Sequence, residues 1–229
     1  MKTVDLKFKC DKCEEEFPIR ILESVDVKEN PELKSDILND RIYHFKCPKC
    51  EYDNKVLTPF LYIDSELKYA VQTGEFNYLV AKRKEIFDKI ENLYKDTYKD
   101  FRIHGAISTL ELNEKVFLLD EDLDIVVCEI MKAILEKRYI IDYNNGNTPK
   151  EHLNRVFFDY SNGKLCQVYE TIKNENEKAY YAREFDMNVY NDLYKMFEAD
   201  LGKIDGYLFN KNIAKKLLGM DNEDLKYND

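Results

Sequence analysis

The chain has 229 residues, a formal net charge of −10 and an isoelectric point near 5.0, and 44% of its residues are hydrophobic. It is long enough for one large domain or two of ordinary size, and its composition is globular rather than disordered. The acidic balance argues against a protein built mainly to wrap nucleic acid, because phosphate neutralisation needs clustered lysine and arginine. The first ten residues hold no apolar run suited to a signal peptide or membrane span, so we expect a cytoplasmic protein without membrane contact.

The first third of the chain predicts a β module. Apolar and charged residues alternate around the first cysteine pair, as in half-buried strands. A short helix is expected near residues 31–38, where a proline stands at the first helical position. Strands are expected at residues 4–9, 16–25, 42–45, 55–57, 60–63 and 69–72. We therefore place one domain over residues 1–75 and expect its sheet to be antiparallel.

The apolar spacing changes to a helical period at about residue 79. Apolar side chains in steps of three and four predict a helix over residues 80–99. Ser108 and Glu111 have the spacing of a capping box and predict a helix that runs to about Leu119. The acidic cluster of residues 120–124 then caps another helix, which carries the isolated Cys128.

The last third of the chain combines strands and helices. Asn162 and Gly163 stand between two apolar stretches and predict a tight hairpin, because both central positions of that turn require positive φ. A strand is expected at residues 179–185, and helices are expected at 188–200 and 211–218. The last ten residues are polar, and we expect them to be frayed. Residues 76–229 thus form a second, α+β region, and the whole chain is of the α+β class.

Four of the six cysteines form two identical motifs, Cys10-x-x-Cys13 and Cys47-x-x-Cys50. Two residues between thiols let one tight turn direct both sulfurs toward one ion, and two such turns supply the four ligands that Zn²⁺ prefers. A lysine precedes each cysteine of both motifs, which places positive charge beside a site whose four thiolates carry a net charge of about −2 with the metal. The sequence therefore predicts a structural zinc site.

Three other uses of these cysteines stay open. Iron also binds four thiolates, and paired thiols can carry out redox chemistry or form disulfides. A four-thiolate site offers no open position for water or substrate, so the predicted zinc is structural and not catalytic.

The run FKCPKCEYDNKVLTPFLYID, with the other CxxC motif 33 residues upstream of Cys47, resembles the CpXC family of bacterial and archaeal proteins. The later segment LNEKVFLLDEDLDIVVCEIMKAIL is similar to the helical part of that family. This resemblance implies a zinc-binding β module followed by helices, with Pro48 in its characteristic place, and it implies no activity. One departure stands out: Glu14 and Glu51 follow the second cysteine of each pair, where many such motifs have glycine.

For the other candidate residues, a structural role or no role is favoured over a functional one. His44 lies three residues before Cys47 and could be an alternative ligand, but a partly exposed strand histidine is favoured because four thiolates already satisfy zinc. We expect Cys128 and Cys166 to be buried and reduced, and we assign no role to His104 or His152. The chain has no glycine-rich phosphate loop, nucleophile elbow or metalloprotease pair.

The favoured functional hypothesis is a non-enzymatic module in which zinc stabilises a platform that binds another protein. The alternative is a nucleic-acid-binding zinc ribbon, which the lysines and the interleaved aromatic residues Phe8, Tyr43, Phe45 and Tyr52 suggest and the net charge disfavours. An enzyme active site in the C-terminal region is a third hypothesis, for which the sequence supplies no catalytic residue.

Overall fold

The computed structural model describes residues 1–149, 151–174, 177–220 and 226–227. The chain is α+β, as predicted, and divides into two compact units, Met1–Asn113 and Glu114–Asp229. Segment 76–113 thus groups with the N-terminal strands, while the domain boundary proposed at residue 75 stays a prediction. Of the polar end expected to be frayed, residues 221–225, 228 and 229 lie outside the described residues.

The N-terminal unit contains a five-stranded mixed sheet of order β1-β2-β5-β6-β7 and a separate hairpin of β3 and β4. The strands are β1 (Lys2–Lys9), β2 (Glu16–Asp26), β3 (His44–Lys46), β4 (Asp53–Lys55), β5 (Leu61–Asp64), β6 (Tyr69–Thr73) and β7 (Arg102–Ala106). The β1–β2 and β3–β4 pairs, which lead into and out of the two CxxC motifs, are antiparallel as expected. The sheet also has two parallel pairs, β2 with β5 and β6 with β7, that the sequence did not predict.

Helices connect and follow these strands. A short helix, α1 (Glu32–Leu38), precedes β3, and α2 (Phe76–Leu93) forms the crossover between the parallel strands β6 and β7. The prediction of a helix over 80–99 was therefore wrong at both ends. Tyr94 ends α2, and its ring stacks on Phe101 with centroids 4.8 Å apart. The two rings continue the apolar spacing beyond the helix, which explains the misplaced end.

The C-terminal unit is built around the 20-residue helix α4 (Ile125–Asn144), which follows α3 (Thr109–Asp120). The carboxylate of Asp124 caps α4 by accepting from the backbone N–H groups of Val126 and Val127, as the acidic cluster predicted. Helix α4 packs against α5 (Met187–Leu201), α6 (Lys211–Leu217) and the first strand of a three-stranded antiparallel sheet. The described residues contain no helix that is both long and apolar enough to cross a membrane.

The three-stranded sheet has the order β10-β9-β8, with β8 (His152–Ser161), β9 (Lys164–Asn174) and β10 (Glu177–Glu184). Asn162 and Gly163 join β8 to β9 at φ values of 53° and 75°, which confirms the predicted hairpin turn. In β9, Glu170 is 1% exposed and accepts hydrogen bonds from Lys178, Asn154 and Arg155. Burial alone would raise the pKa of Glu170, but these three donors outweigh it and lower the pKa to about 2.

Gly74 follows β6 at a place with no room for a side chain. A Cβ atom there would lie 2.6 Å from Cδ1 of Tyr78, which is an atom of the aromatic ring. We expect Gly74→Ala to lower the free energy of unfolding by about 1–3 kcal/mol, because the ring has to move. Gly202→Ala is the matched control, since a Cβ there meets nothing within 4 Å. Urea denaturation measures both, and equal stability of the two variants would contradict the close approach.

The depressed pKa of Glu170 predicts a pH dependence of stability. Because its folded pKa of about 2 lies below the ordinary value of 4.5, the carboxylate stabilises the fold above about pH 4.5, and this contribution is lost as the pH falls toward 2. We expect Glu170→Gln to lower the free energy of unfolding by about 2 kcal/mol at pH 7 and by progressively less toward pH 3. Urea denaturation across this range measures the difference. Glu184→Gln, in an exposed pair with Lys164, serves as control and is expected to change little.

Candidate metal centre

The two CxxC motifs fold into two turns with the same backbone hydrogen bonds. In the first cysteine turn, residues 10–15, the N–H of Glu14 donates to the carbonyl of Cys10, and the N–H of Cys10 donates to the carbonyl of Glu15, both at 2.9 Å. The second cysteine turn, residues 47–52, repeats these bonds at 3.0 and 2.9 Å. Each pair of bonds closes its turn, so that both thiols of a motif leave the backbone on one side.

Glu14 and Glu51 occupy the positions where glycine was expected, and both have positive φ, 61° and 56°. The chain therefore accepts left-handed backbone at non-glycine residues and does not open the turns. This conformation directs backbone N–H groups at sulfur. Although burial opposes ionisation, the N–H groups of Cys13 and Lys12 lower the pKa of the Cys10 thiol to about 6. The first turn thus favours a thiolate at Cys10. At Cys13 the N–H of Glu15 acts in the same sense, but burial and the other three thiols outweigh it and raise the pKa.

The structure brings all four predicted cysteines together. The ligand atoms of Cys10, Cys13, Cys47 and Cys50 all lie within 4.8 Å of one another. Across the two turns, the sulfur of Cys10 is 3.7 Å from that of Cys50, and the sulfur of Cys13 is 3.6 Å from that of Cys47. A tetrahedron with metal–sulfur bonds of about 2.3 Å has edges of about 3.8 Å. The group therefore has dimensions that could hold one metal ion.

A buried amide joins the two turns, and no pattern along the chain predicted it. Asn54 in β4 is 0% exposed. Its Oδ1 accepts the backbone N–H of Asp11 in the first cysteine turn at 3.0 Å. Its Nδ2 donates to the carbonyls of Phe45 and Tyr52, at 3.2 and 3.1 Å, beside and within the second turn. One side chain thus fixes the distance between the two thiol pairs.

Apolar side chains surround the cysteines on the protein side. Cys10 and Cys47 are each 1% exposed and form a small core with Phe17 and Ile19. Partly buried side chains packed against this core are Phe8, Cys13, Ile21, Phe45, Cys50 and Val56. Two of the four aromatic residues that suggested nucleic-acid binding, Phe8 and Phe45, therefore support the cysteines instead.

The lysines that flank the cysteines lie at the surface of the site. Lys9 pairs with Glu14 at 3.0 Å, and Lys49 pairs with Glu15 at 2.9 Å. The bond to Glu15 is the largest cause that raises the pKa of Lys49, and the thiols of Cys13 and Cys47 raise it further. Lys49 therefore lies close enough to the sulfurs to offset part of a thiolate charge.

The other candidate residues lie outside the cysteine group. Nδ1 of His44 lies 2.9 Å from a carboxylate oxygen of Asp53, and its side chain is half-exposed on β3, so it is a strand histidine and not a member of the cysteine group. Cys128 and Cys166 are buried and reduced, as expected, and burial raises the pKa of Cys128 well above its usual value. The ring of His152 stacks on that of Tyr227.

A second feature of the N-terminal unit is an apolar pocket of about 380 Å³. It lies at the carboxyl ends of the parallel strands β6 and β7, where α2 and α3 begin, a usual position for ligand sites in sheets with parallel strands. One wall is the segment Leu57–Pro59, which leads out of the β3–β4 hairpin, and Ile107 also lines the pocket. Both Leu57 and Ile107 are more than half exposed. Because β7 was not predicted, the sequence did not reveal this pocket.

The fold and the cysteine group define an α+β protein with a possible four-cysteine metal site. Residues 8–132, more than half of the chain, match the family model described as CpXC protein. The chain therefore belongs to the CpXC family, as the resemblance of its motifs indicated. Comparisons with curated proteins and with solved structures found no match.

The central position of Asn54 yields a test. Asn54→Ala removes three hydrogen bonds and leaves the N–H of Asp11 without its acceptor, so we expect a loss of about 2–3 kcal/mol in the free energy of unfolding. Asn77→Ala, at an exposed position of α2, is the matched control and is expected to be neutral or slightly stabilising. Chemical denaturation measures both, and an unchanged stability of Asn54→Ala would show that the two turns hold their spacing without the amide.

Proposed function

We propose that Cys10, Cys13, Cys47 and Cys50 hold one zinc ion and that this zinc is structural. The observation that carries the proposal is the sulfur group itself, whose 3.6 and 3.7 Å separations match the edges of a zinc–thiolate tetrahedron of about 3.8 Å. The N–H groups aimed at Cys10 favour the thiolate that zinc requires. Four sulfurs complete the coordination, so no position remains for water or substrate, and we assign the zinc no catalytic step.

We further infer that the zinc supports a surface that binds another protein. The chain leaves the β3–β4 hairpin through Leu57–Pro59, so a metal that fixes the second cysteine turn also fixes one wall of the apolar pocket. Leu57 and Ile107 line that pocket, and Phe76 and Leu110, one residue beyond its lining on α2 and α3, are also more than half exposed. Exposed apolar side chains grouped beside a cavity are typical of interaction sites.

The alternative, nucleic-acid binding, has weaker support. Of the aromatic residues beside the cysteines, Tyr43 is buried, and Phe8 and Phe45 pack against the cysteine core. Tyr52 is 43% exposed, with Lys12 6.0 Å above its ring. One exposed ring and a net charge of −10 make a poor stacking platform for a polyanion. A cytoplasmic location remains part of the proposal, supported by six cysteines that form no disulfide.

Metal analysis tests the zinc proposal. We expect the purified protein to contain about one zinc per chain and Cys47→Ser to lose it, because three thiolates bind the ion far more weakly than four. Cys166→Ser is the matched control, since Cys166 is buried outside the cysteine group and should leave the zinc in place. Replacement by Co²⁺ should give the visible absorption of a tetrahedral thiolate site. Iron in place of zinc, or full metal content in Cys47→Ser, would contradict the proposal.

Partner capture tests the interaction surface. We expect Ile107→Asp to abolish capture of proteins crosslinked to the wild-type chain in cells, because it places a charge in the apolar pocket. Met196→Asp is the matched control, since Met196 is 70% exposed on α5. Removal of zinc by a chelator should weaken capture through the Leu57–Pro59 wall. Equal capture by wild type and Ile107→Asp would rule out this surface, and loss of zinc without loss of capture would separate the two halves of the proposal.

A further inference from the structure

The C-terminal unit contains a larger cavity. Its lining residues come from a part of the sequence that holds neither the four-cysteine group nor the apolar pocket. Its volume is about 730 Å³, within the range of about 300–1,000 Å³ that is usual for small-molecule sites. It is bounded by α4, by the beginning of α5 and by strands β9 and β10. Tyrosine and arginine contribute to its lining, which includes Arg138, Tyr139, Gln167, Tyr169, Tyr181 and Arg183.

The sheet register places four of these side chains together. Gln167 of β9 pairs with Arg183 of β10, and Tyr169 pairs with Tyr181. Because residues two apart share a face and paired residues lie side by side, all four project from the same face of the sheet. Tyr139 of α4 covers that face, with its ring stacked on Tyr169 at a centroid distance of 5.9 Å. The cavity therefore has an aromatic wall beside an amide and a guanidinium group.

The amide of Gln167 is the first sign of a ligand. Gln167 is 7% exposed, and its Nε2 donates to the hydroxyl of Tyr169 at 3.3 Å. Its Oε1 is buried and has no hydrogen-bond donor among the described residues. A buried acceptor without a donor destabilises the fold. A ligand that presents an N–H or O–H group to this oxygen would remove that cost.

The arginines are the second sign. Arg183 forms no ion pair with any residue in the described ranges, and the nearest carboxylate contact of Arg138 is to Asp142, at 3.9 Å. The three carboxylates that also line the cavity are engaged: Asp142 pairs with Arg138, Glu184 pairs with Lys164, and Asp186 caps α5. Burial raises the pKa of Tyr169, while Arg183 and Arg138 act against it, which places both guanidinium groups near this phenol. Two arginines near one phenol offer positive charge and hydrogen-bond donors to a phosphate.

We propose that this cavity binds a nucleotide. Arg138 and Arg183 take the phosphate, and Oε1 of Gln167 accepts a hydrogen bond from the base or the ribose. The base packs against the tyrosine rings, since every base offers a face for aromatic stacking. An inorganic anion would leave the rings and the amide without a partner, and an apolar ligand would leave Arg183 without one, so a nucleotide is the class that satisfies all three.

Isothermal titration calorimetry on the full chain tests the proposal, with AMP, GMP, CMP and UMP as probes and with adenosine and inorganic phosphate as comparisons. We expect saturable binding of at least one nucleotide at one site per chain. Arg183→Gln and Gln167→Leu should each weaken it at least about 10-fold, as expected for loss of a charged or buried hydrogen-bond partner. Lys195→Gln removes the same charge at an exposed position of α5 outside the cavity and should leave binding unchanged.

A loss of binding can be distinguished from a loss of folding. Arg183 is exposed, so Arg183→Gln keeps the test decisive even where Gln167→Leu fails to fold, which thermal denaturation reveals. Phosphate that binds as tightly as every nucleotide would overturn the nucleotide class. Absence of saturable nucleotide binding, or equal affinity in wild type and Arg183→Gln, would overturn the site.

Discussion

The buried amide of Asn54 is the constraint on which the cysteine centre depends. Each CxxC turn is closed by its own backbone bonds, but those bonds do not determine how far apart the two turns lie. Asn54 reaches the first turn through Asp11 and the second through Tyr52, and so sets the separation of the two sulfur pairs. The centre is thus assembled by a polar side chain within an apolar surround, and the metal we propose would close a geometry that the protein already holds.

The same hairpin links the cysteine centre to the apolar pocket. Strand β4 carries Asn54, and the chain then passes directly through Leu57–Pro59, one wall of the pocket, before it enters β5. The other walls come from the ends of β6 and β7, which a helical crossover holds parallel. Under the proposed function, the metal stabilises the shape of a binding surface and takes no part in a reaction.

The C-terminal unit contains a buried cluster of charged side chains. Lys132 of α4 is buried between Glu114 and Glu129, at 2.9 and 2.7 Å, and Glu114 also accepts the backbone N–H of Phe158. In such a cluster each charge is paired, so its burial is tolerated. Among the described residues, Arg183 of the cavity forms no ion pair, and Arg138 forms an exposed one with Asp142 at 3.9 Å. The contrast supports the inference that their charge serves a ligand and not the fold.

The sequence by itself determined the features that depend on neighbours along the chain. The CxxC spacing predicted a four-cysteine group that the structure assembles, Asn162-Gly163 predicted the hairpin, and the acidic cluster predicted the cap of α4, because turns and caps are set by two to five consecutive residues. Tertiary structure decided the rest. Strand β7, with His104 and Gly105 in its five residues, has no strand pattern of its own and exists through its pairing with β6. The bridge from Asn54 to Asp11, and the register that sets Gln167 beside Arg183, join residues too distant in sequence for any local pattern to record.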